Sequence, residues 1–264
     1  MFNFLHSFLP SPILLDLGII NIHWYGLLIG AAVFFCLWLA LKLAKRVPLA
    51  PDHILNLVFY LVIFGLIGAR LWHALFYNFN YFIANPLDII KVWQGGLAIH
   101  GAIAAGLITL IVYCRRHQLS FWRAADVLAV VLPLGQAIGR VGNYFNQELF
   151  GRPCAYQWCI PINPANRPDQ YVNFTHFQPV FLYESLLNLA LFIVLLFVWR
   201  RKVQSGFVAL LYLGGYSIIR FITEFWRLDS SVGWLGLTRV QWLCLVIILA
   251  AGVGLAKRKE ILYN

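Results

Sequence analysis

One short stretch, GRVGNYFNQELFG at residues 139–151, carries polar side chains suited to hold an anion at the end of an apolar segment. The guanidinium of Arg140 offers a planar fork of donors that matches a phosphate. Asparagine and glutamate side chains that can fix this guanidinium or a bound head group follow it, and a glycine can let the backbone approach a ligand. These residues are Asn143, Asn146, Glu148 and Gly151. The alternative is an arginine that snorkels to the membrane surface beside a capped helix end, and the stretch alone leaves both open.

A second stretch, GGYSIIRFITEFWR at residues 214–227, places Arg220 four residues before Glu224 among apolar neighbours. Residues at this spacing share one face of a helix. The pair is either a structural ion pair inside a bundle or an arginine that a carboxylate holds in place to receive an anionic substrate. The sequence leaves these two interpretations open.

Other polar side chains lie near the ends of apolar segments. His100, in WQGGLAIHGAIAAG, is able to take a proton from a nucleophile or to make an interhelical hydrogen bond. Tyr25, in HWYG, fits an aromatic belt. Glu184, in QPVFLYES, is not explained by such a belt, so we expect it to pair within the bundle, with Arg70 as one candidate partner.

The composition indicates a membrane protein with several spans, because 61% of the 264 residues are hydrophobic and only 11% are charged. The net charge of +10 fits either nucleic-acid binding or the excess of lysine and arginine in cytoplasmic loops. The basic residues fall between the apolar segments in a regular alternation, which favours the loops. We therefore expect no nucleic-acid partner.

Seven apolar segments are long enough to cross about 30 Å of hydrocarbon as helices. They cover residues 21–41, 54–76, 96–114, 124–142, 180–199, 207–226 and 239–256. The sequence lacks strands of alternating polarity, so helices are the expected spanning structure. It therefore predicts an all-α polytopic membrane protein with about seven transmembrane helices, and a single transmembrane domain over residues 1–264.

The twenty lysines and arginines predict the orientation of these spans. Twelve follow the first, third, fifth and last spans, five lie on the opposite side, and three lie in the spans. Because cytoplasmic loops carry the basic excess, we expect the N-terminus outside and the C-terminus in the cytoplasm. The polar groups described above then map to the outer half of the protein, which favours one anion-handling cavity open to the outer leaflet.

The longest loop, residues 143–179, is then on the outer face. Its five prolines argue against a regular helix throughout, and we expect a small head or a lid. Cys154 and Cys159 lie in this loop, at a spacing that does not fit a CxxC motif or a zinc site. Their pairing depends on an oxidising compartment and stays open.

Taken together, these residues resemble the bacterial prolipoprotein diacylglyceryl transferases. GRVGNYFNQELFG is similar to the family signature Gly-Arg-x-Gly-Asn-aromatic-x-Asn-x-Glu-x-x-Gly, and the similarity extends to HWYG, GARLWH, GGLAIHG, PVFLYES and the Arg220/Glu224 helix. The resemblance implies transfer of the diacylglyceryl group of phosphatidylglycerol to the lipobox cysteine of a preprolipoprotein, with release of glycerol 1-phosphate. It also implies a multi-pass protein of the bacterial inner membrane with a periplasmic N-terminus. The implied partners are phosphatidylglycerol, preprolipoprotein signal peptides and membrane lipids.

The polar pattern and the resemblance together predict a site. The expected substrate-binding residues are Arg140, Asn143, Asn146, Glu148, Gly151, Arg220 and Glu224. The expected catalytic residues are His100, Arg140, Arg220 and Tyr25. The arginines would stabilise the leaving phosphate in a water-poor cavity, and His100 is the candidate base for the thiol, with Tyr25 and the positive potential of the arginines as alternatives. Because no GxSxG motif or metal-ligand spacing is present, we expect no acyl-enzyme, no metal and no cofactor.

Two other classes of membrane protein compete with a transferase. A transporter often shows repeated halves with binding groups at the midplane, whereas this sequence has no repeat and its polar groups lie near one leaflet. A scaffold has no need of two arginines, a histidine and several carboxylates in one layer. The sequence therefore favours the transferase.

Reporter fusions test the predicted orientation. We expect alkaline phosphatase to be inactive when fused after Asn264 and active when inserted in the loop 143–179, because the basic loops stay in the cytoplasm. Phosphatase activity of the fusion after Asn264 would contradict the orientation.

Overall fold

The computed structural model describes residues 2–18, 21–201, 203–228 and 233–258. Its helices are α1 (Phe2–Ser7), α2 (Trp24–Ala44), α3 (Pro51–Phe76), α4 (Phe79–Ala84), α5 (Ile99–Arg116), α6 (Phe121–Phe145), α7 (Val180–Arg200), α8 (Phe207–Thr223) and α9 (Arg239–Ala256). Within the described ranges, seven of them, all but α1 and α4, are long and apolar enough to cross a membrane. Each agrees with a predicted span to within three residues at both ends. The predicted all-α polytopic fold class is thereby confirmed.

The ends of the long helices follow from local sequence. Pro51 begins α3, where its missing N–H costs no hydrogen bond. Thr238 caps α9: its side chain accepts a hydrogen bond from Gln241 N, and the Gln241 side chain accepts one from Thr238 N. α6 continues past the interior Pro133 to Phe145, so the predicted outer loop begins while the helix is still intact.

Short strands, 3-10 helices and turns fill the remainder of the described chain. β1 (Ile13–Asp16) pairs with β2 (Asn21–His23) as an antiparallel hairpin ahead of α2, which the sequence did not predict. β3 (Ile160–Pro161) pairs with β4 (His176–Phe177) in the loop after α6. As predicted from its prolines, this loop holds no long helix beyond the end of α6. Cys154 and Cys159 form a disulfide within it.

The chain divides into two compact units, Leu39–Val127 and the combination of Met1–Trp38 with Leu128–Asn264. The predicted single transmembrane domain and the predicted head or lid at residues 143–179 stay predictions.

In the unit Leu39–Val127, α3 and α5 pack closely because glycines face each other. A Cβ on Gly101 would meet the carbonyl group of Gly68 and the side chain of Trp72. Small residues allow such close approach between helices in a membrane. The backbone N–H of Ala98 also donates to the carbonyl of Ala69, which fixes the start of α5 beside α3.

Arg70 of α3 organises the segment between α4 and α5. It is 6% exposed, and its guanidinium stacks on Phe82 at 5.0 Å. Its nitrogens donate to the backbone carbonyls of Asp88, Ile89, Lys91, Gly95 and Gly96, at 2.6 to 3.2 Å. We had expected a carboxylate of the bundle as its partner; instead, carbonyl dipoles of one loop satisfy the buried charge.

The same loop carries an exposed ion pair. Lys91 Nζ lies 2.5 Å from Asp88 Oδ1, and the Tyr81 hydroxyl donates to Asp88 Oδ2 over 2.6 Å. The hydrogen bond from Lys91, followed by that from Tyr81, lowers the pKa of the Asp88 carboxyl, and the bond to Asp88 raises the pKa of Tyr81. Because folding lowers the pKa of Asp88, its contribution to stability is present at neutral pH and is lost as the pH falls through that pKa.

In the other unit, the N-terminal segment packs beside the end of α6. The Tyr144 hydroxyl donates to the carbonyl of Phe8 over 3.3 Å, and Gln147 Nε2 donates to the carbonyl of Pro10 over 2.7 Å. Asn163 N donates to the other end of the Gln147 side chain over 2.6 Å. The stretch at 139–151 is therefore held from both sides by other parts of the unit.

Replacing Arg70 tests whether it supports this loop. We expect Arg70→Ala to lower the free energy of unfolding in detergent by about 3 kcal/mol or more, because the loop carbonyls lose charge-assisted hydrogen bonds of roughly 1.5–3 kcal/mol each from a buried guanidinium. The control Lys91→Ala removes an exposed charge from the same loop and is expected to change the melting temperature little. An Arg70→Ala protein with the melting temperature of the wild type would contradict the supporting role of Arg70.

Candidate functional site

The centre of the candidate site is the carboxylate of Glu184, which is 1% exposed in the second turn of α7. Its Oε2 lies 2.5 Å from Arg140 Nε, and its Oε1 lies 3.4 Å from Arg220 Nη1 and 3.7 Å from Arg227 Nη1. The hydroxyl of Thr223 donates to the same Oε1 over 3.1 Å. A carboxylate taken out of water is stable only when it is paired and hydrogen-bonded, and these four groups meet that requirement.

A second buried carboxylate completes the arrangement. Glu224 is 4% exposed, and its Oε2 lies 2.7 Å from Arg220 Nη2. Its Oε1 accepts a hydrogen bond of 3.0 Å from the hydroxyl of Thr238, the residue that caps α9. The guanidinium of Arg220 thus bridges two fixed carboxylates and cannot swing away without breaking both contacts.

We call five side chains, linked by these ion pairs, the charged cluster: Arg140, Glu184, Arg220, Glu224 and Arg227.

Contacts at and below this cluster hold three helices together. The hydroxyl of Ser185 on α7 donates to the carbonyl of Ala137 on α6 over 2.8 Å. Between α7 and α8, a Cβ on Gly215 would lie 2.7 Å from the Leu191 side chain, so only glycine fits there without a shift. These close contacts place the charged residues of α6, α7 and α8 within ion-pair distance.

The polar residues of 139–151 mainly bind one another. Glu148 Oε1 accepts hydrogen bonds from Asn143 Nδ2 at 2.9 Å and from Asn146 Nδ2 at 3.0 Å. Asn143 Oδ1 accepts a longer bond, 3.4 Å, from Arg140 Nη1. Asn143, Asn146 and Glu148 therefore form a brace that orients Arg140, which is one of the two roles expected from the sequence.

Tyr25 lies against this brace. A Cβ on Gly142 would be 2.7 Å from Tyr25 Cδ2, so the ring packs directly on the backbone of α6. Tyr25 is nevertheless 38% exposed. The structure thus places Tyr25 against α6 at Gly142, two residues after Arg140 in the chain, and its predicted catalytic role stays a prediction.

Gly151 makes contacts with the protein through its backbone. Its N–H donates to the carbonyl of Gln178 over 2.8 Å, and it forms an isolated β-bridge with Arg227. A Cβ at this position would lie 2.7 Å from both Trp226 O and Val180 Cγ2. Gly151 therefore fixes the segment that carries Arg227, and its predicted part in substrate binding is not tested by these contacts.

His100 belongs to the unit Leu39–Val127, in the first turn of α5. Its imidazole is exposed and stacks on Trp72, with ring centroids 6.2 Å apart. An exposed imidazole is able to exchange protons with a substrate group. The association of His100 with the arginines stays a prediction.

Sequence reasoning missed two members of the charged cluster. Glu184 was expected to pair, but its three arginine partners were not identified. Arg227 was counted among the basic residues of the outer loops, although it follows Arg220 by seven residues and Glu224 by three. In a continuous helix this i, i+4, i+7 spacing puts three residues on one face, which was the available signal. In the structure the helix ends before Arg227, whose backbone is extended.

Comparison with known proteins identifies the family of this chain. The model of the family described as prolipoprotein diacylglyceryl transferase matches residues 12–257. Three relatives carry the name phosphatidylglycerol–prolipoprotein diacylglyceryl transferase. The relative from Synechococcus sp. strain CC9902 is 44% identical, over 93% of this chain and 92% of its own. The relative from Thermosynechococcus vestitus is 39% identical over 90% and 88%, and that from Symbiobacterium thermophilum is 40% identical over 84% and 82%. The chain therefore belongs to the prolipoprotein diacylglyceryl transferase family.

Proposed function

We propose that the charged cluster binds the phosphate of phosphatidylglycerol while its diacylglyceryl group moves to the thiol of a lipobox cysteine. The family and the relatives indicate a transferase that carries out the first step of lipoprotein maturation. The seven apolar helices make the protein a multi-pass membrane protein, and the inner membrane of a bacterium, with membrane lipids as partners, is the location that we propose.

The charge of the cluster carries the proposal. Three guanidiniums surround the two carboxylates of Glu184 and Glu224, so the cluster contains one more positive than negative side chain. A phosphodiester carries one negative charge, so its binding makes the cluster neutral. Arginine suits this ligand because its planar fork matches two phosphate oxygens.

The reaction that fits this site is a displacement at the glyceryl carbon that carries the phosphate. The cysteine sulfur forms a bond to that carbon while the carbon–oxygen bond to the phosphate breaks, which gives a thioether and glycerol 1-phosphate. Negative charge grows on the leaving phosphate, and fixed guanidiniums in a site poor in water stabilise it. The carboxylates contribute by holding Arg140 and Arg220 in one orientation before the reaction starts.

The thiol has to lose its proton before it attacks. We propose His100 as the base, because its imidazole is exposed at the start of α5 and imidazole exchanges protons near neutral pH. Tyr25 is the alternative, because it packs on α6 beside the signature and stays 38% exposed.

Single substitutions of the arginines and of His100 test the proposal. With phosphatidylglycerol and a lipobox peptide in detergent, we expect Arg140→Ala and Arg220→Ala to release glycerol phosphate about 100- to 1,000-fold more slowly, because each loses a donor to the leaving group. His100→Gln is expected to lose activity and also the acid limb of the pH–rate profile. The control Arg152→Ala removes an exposed arginine of the outer loop and is expected to keep wild-type activity.

Two results would count against the proposal. One is a folded Arg140→Ala or Arg220→Ala protein with the rate of Arg152→Ala, and the other is a wild-type protein that releases no glycerol phosphate. A His100→Gln protein that keeps the wild-type pH–rate profile would remove His100 as the base and leave Tyr25.

Substitution of Glu184 tests the orienting role of the carboxylates. Glu184→Gln keeps the shape but removes the charge, so we expect kcat to fall by about 10- to 100-fold while KM for phosphatidylglycerol changes little, since the arginines still attract phosphate but lose their fixed direction. Asp169→Asn, an exposed acid-to-amide change in the outer loop, serves as the control. An unchanged kcat in Glu184→Gln would show that the buried carboxylate does not act on the reaction.

A further inference from the structure

A second set of polar side chains lies one to two helical turns deeper than the charged cluster. Gln136 precedes Arg140 by four residues on α6, Asn188 follows Glu184 by four on α7, and Tyr216 and Tyr212 precede Arg220 by four and eight on α8. Because residues four apart share a helix face, each points to the same side as its charged neighbour. We call Gln136, Asn188, Tyr212 and Tyr216 the inner polar layer.

One hydrogen bond of this layer joins the two helices that carry Arg140 and Arg220. Gln136 Nε2 lies 3.0 Å from the hydroxyl oxygen of Tyr212, between α6 and α8. The rings of Tyr212 and Tyr216 stack, with centroids 5.9 Å apart, so Tyr212 is itself held in place. Gln136 as a whole residue is half-buried.

The layer has hydrogen-bonding capacity that the protein does not use. Among the described residues, neither the buried Gln136 Oε1 nor the buried Asn188 Oδ1 has a hydrogen-bond partner. Asn188 is 0% exposed, and its Nδ2 donates to the carbonyl of Glu184 over 2.9 Å. A buried polar atom without a partner destabilises a protein by about 1–3 kcal/mol, so two at one level point to a ligand.

The amide of Gln136 is able to present either end to such a ligand. A hydroxyl both donates and accepts, so the bond to Tyr212 survives when the amide turns over. In one orientation the carbonyl oxygen of Gln136 faces the ligand, and in the other orientation its NH2 group faces the ligand. The NH2 orientation pairs with a hydrogen-bond acceptor.

The lipid places an acceptor at this depth. One helical turn is about 5.4 Å, and on each of the three helices the step from the charged cluster to the inner layer leads away from the helix end and toward the middle of the span. The acyl chains of a lipid run in the same direction. When the phosphate lies on the arginines, the ester carbonyls, which are only a few bonds from the reacting carbon, come to the level of Gln136.

We infer that Gln136, held by Tyr212, donates a hydrogen bond to an ester carbonyl of the diacylglyceryl group and so makes the enzyme selective for ester-linked over ether-linked lipid. This inference rests on the proposed function. Gln136 acts as a specificity-determining residue, and it takes no part in proton transfer or in charge stabilisation.

Two lipids that differ only in this carbonyl test the inference. Diacyl phosphatidylglycerol and the dialkyl ether of the same chain length would each be supplied with a lipobox peptide, and kcat/KM would be measured for both. We expect the wild type to prefer the ester by roughly 3- to 10-fold, which corresponds to one neutral hydrogen bond. Gln136→Leu is expected to bring the ester-to-ether ratio close to one while its rate on the ether stays near that of the wild type.

Two further variants separate recognition from packing. Tyr212→Phe removes the hydroxyl that holds Gln136 and is expected to lower the ester-to-ether ratio. If Gln136→Leu does not fold, Tyr212→Phe tests the inference in its place. Ser185→Ala removes the neighbouring bond between α6 and α7 and is expected to leave the ratio unchanged. An ester-to-ether ratio of one in the wild type would overturn the inference but not the proposed function. The same holds if Gln136→Leu and Tyr212→Phe leave the wild-type ratio unchanged. A wild type inactive on both lipids would overturn the proposed function and the inference with it.

Discussion

The arrangement of the candidate site depends on a carboxylate that has been taken out of water. Glu184 is 1% exposed, and such a group is tolerated only with counter-charges and donors close by. Arg140 supplies a charge from α6, and Arg220 and Arg227 supply charges from α8 and the segment directly after it, so α6, α7 and α8 have to pack closely enough for all of them to reach. The glycine and serine contacts between these helices, and the braces around each arginine, follow from that requirement.

The buried Arg70 and the half-buried Arg220 are stabilised in different ways, and the difference indicates what each does. Arg70 donates to backbone carbonyls of a single loop, which have no net charge. These carbonyls already occupy its donors, so an anion has little to bind there. Arg220 is shared between Glu184 and Glu224 in a cluster with more arginines than carboxylates, so an anion can still be attracted to it. The first arrangement supports a loop, whereas the second is ready to bind a phosphate.

Much of the fold was predictable, and the site was predictable in part. The spans agree within three residues because about twenty apolar residues in a row have few alternatives to a membrane helix. Arg220 and Glu224 were recognisable from their spacing. The partners of Glu184 were not recognisable, because they lie far from it in the sequence and no short motif links them to it. Arg70 was assigned the wrong kind of partner, because backbone carbonyls leave no trace in the sequence.

The central claim is that the charged cluster binds the phosphate of the lipid, and equilibrium binding of phosphatidylglycerol without peptide tests it most directly. Detergent-purified wild type, Arg220→Ala and Arg152→Ala would be titrated with the lipid at low and high salt. The account predicts that Arg220→Ala loses most of its affinity and its salt dependence, while Arg152→Ala matches the wild type. Equal affinities for all three proteins would contradict it.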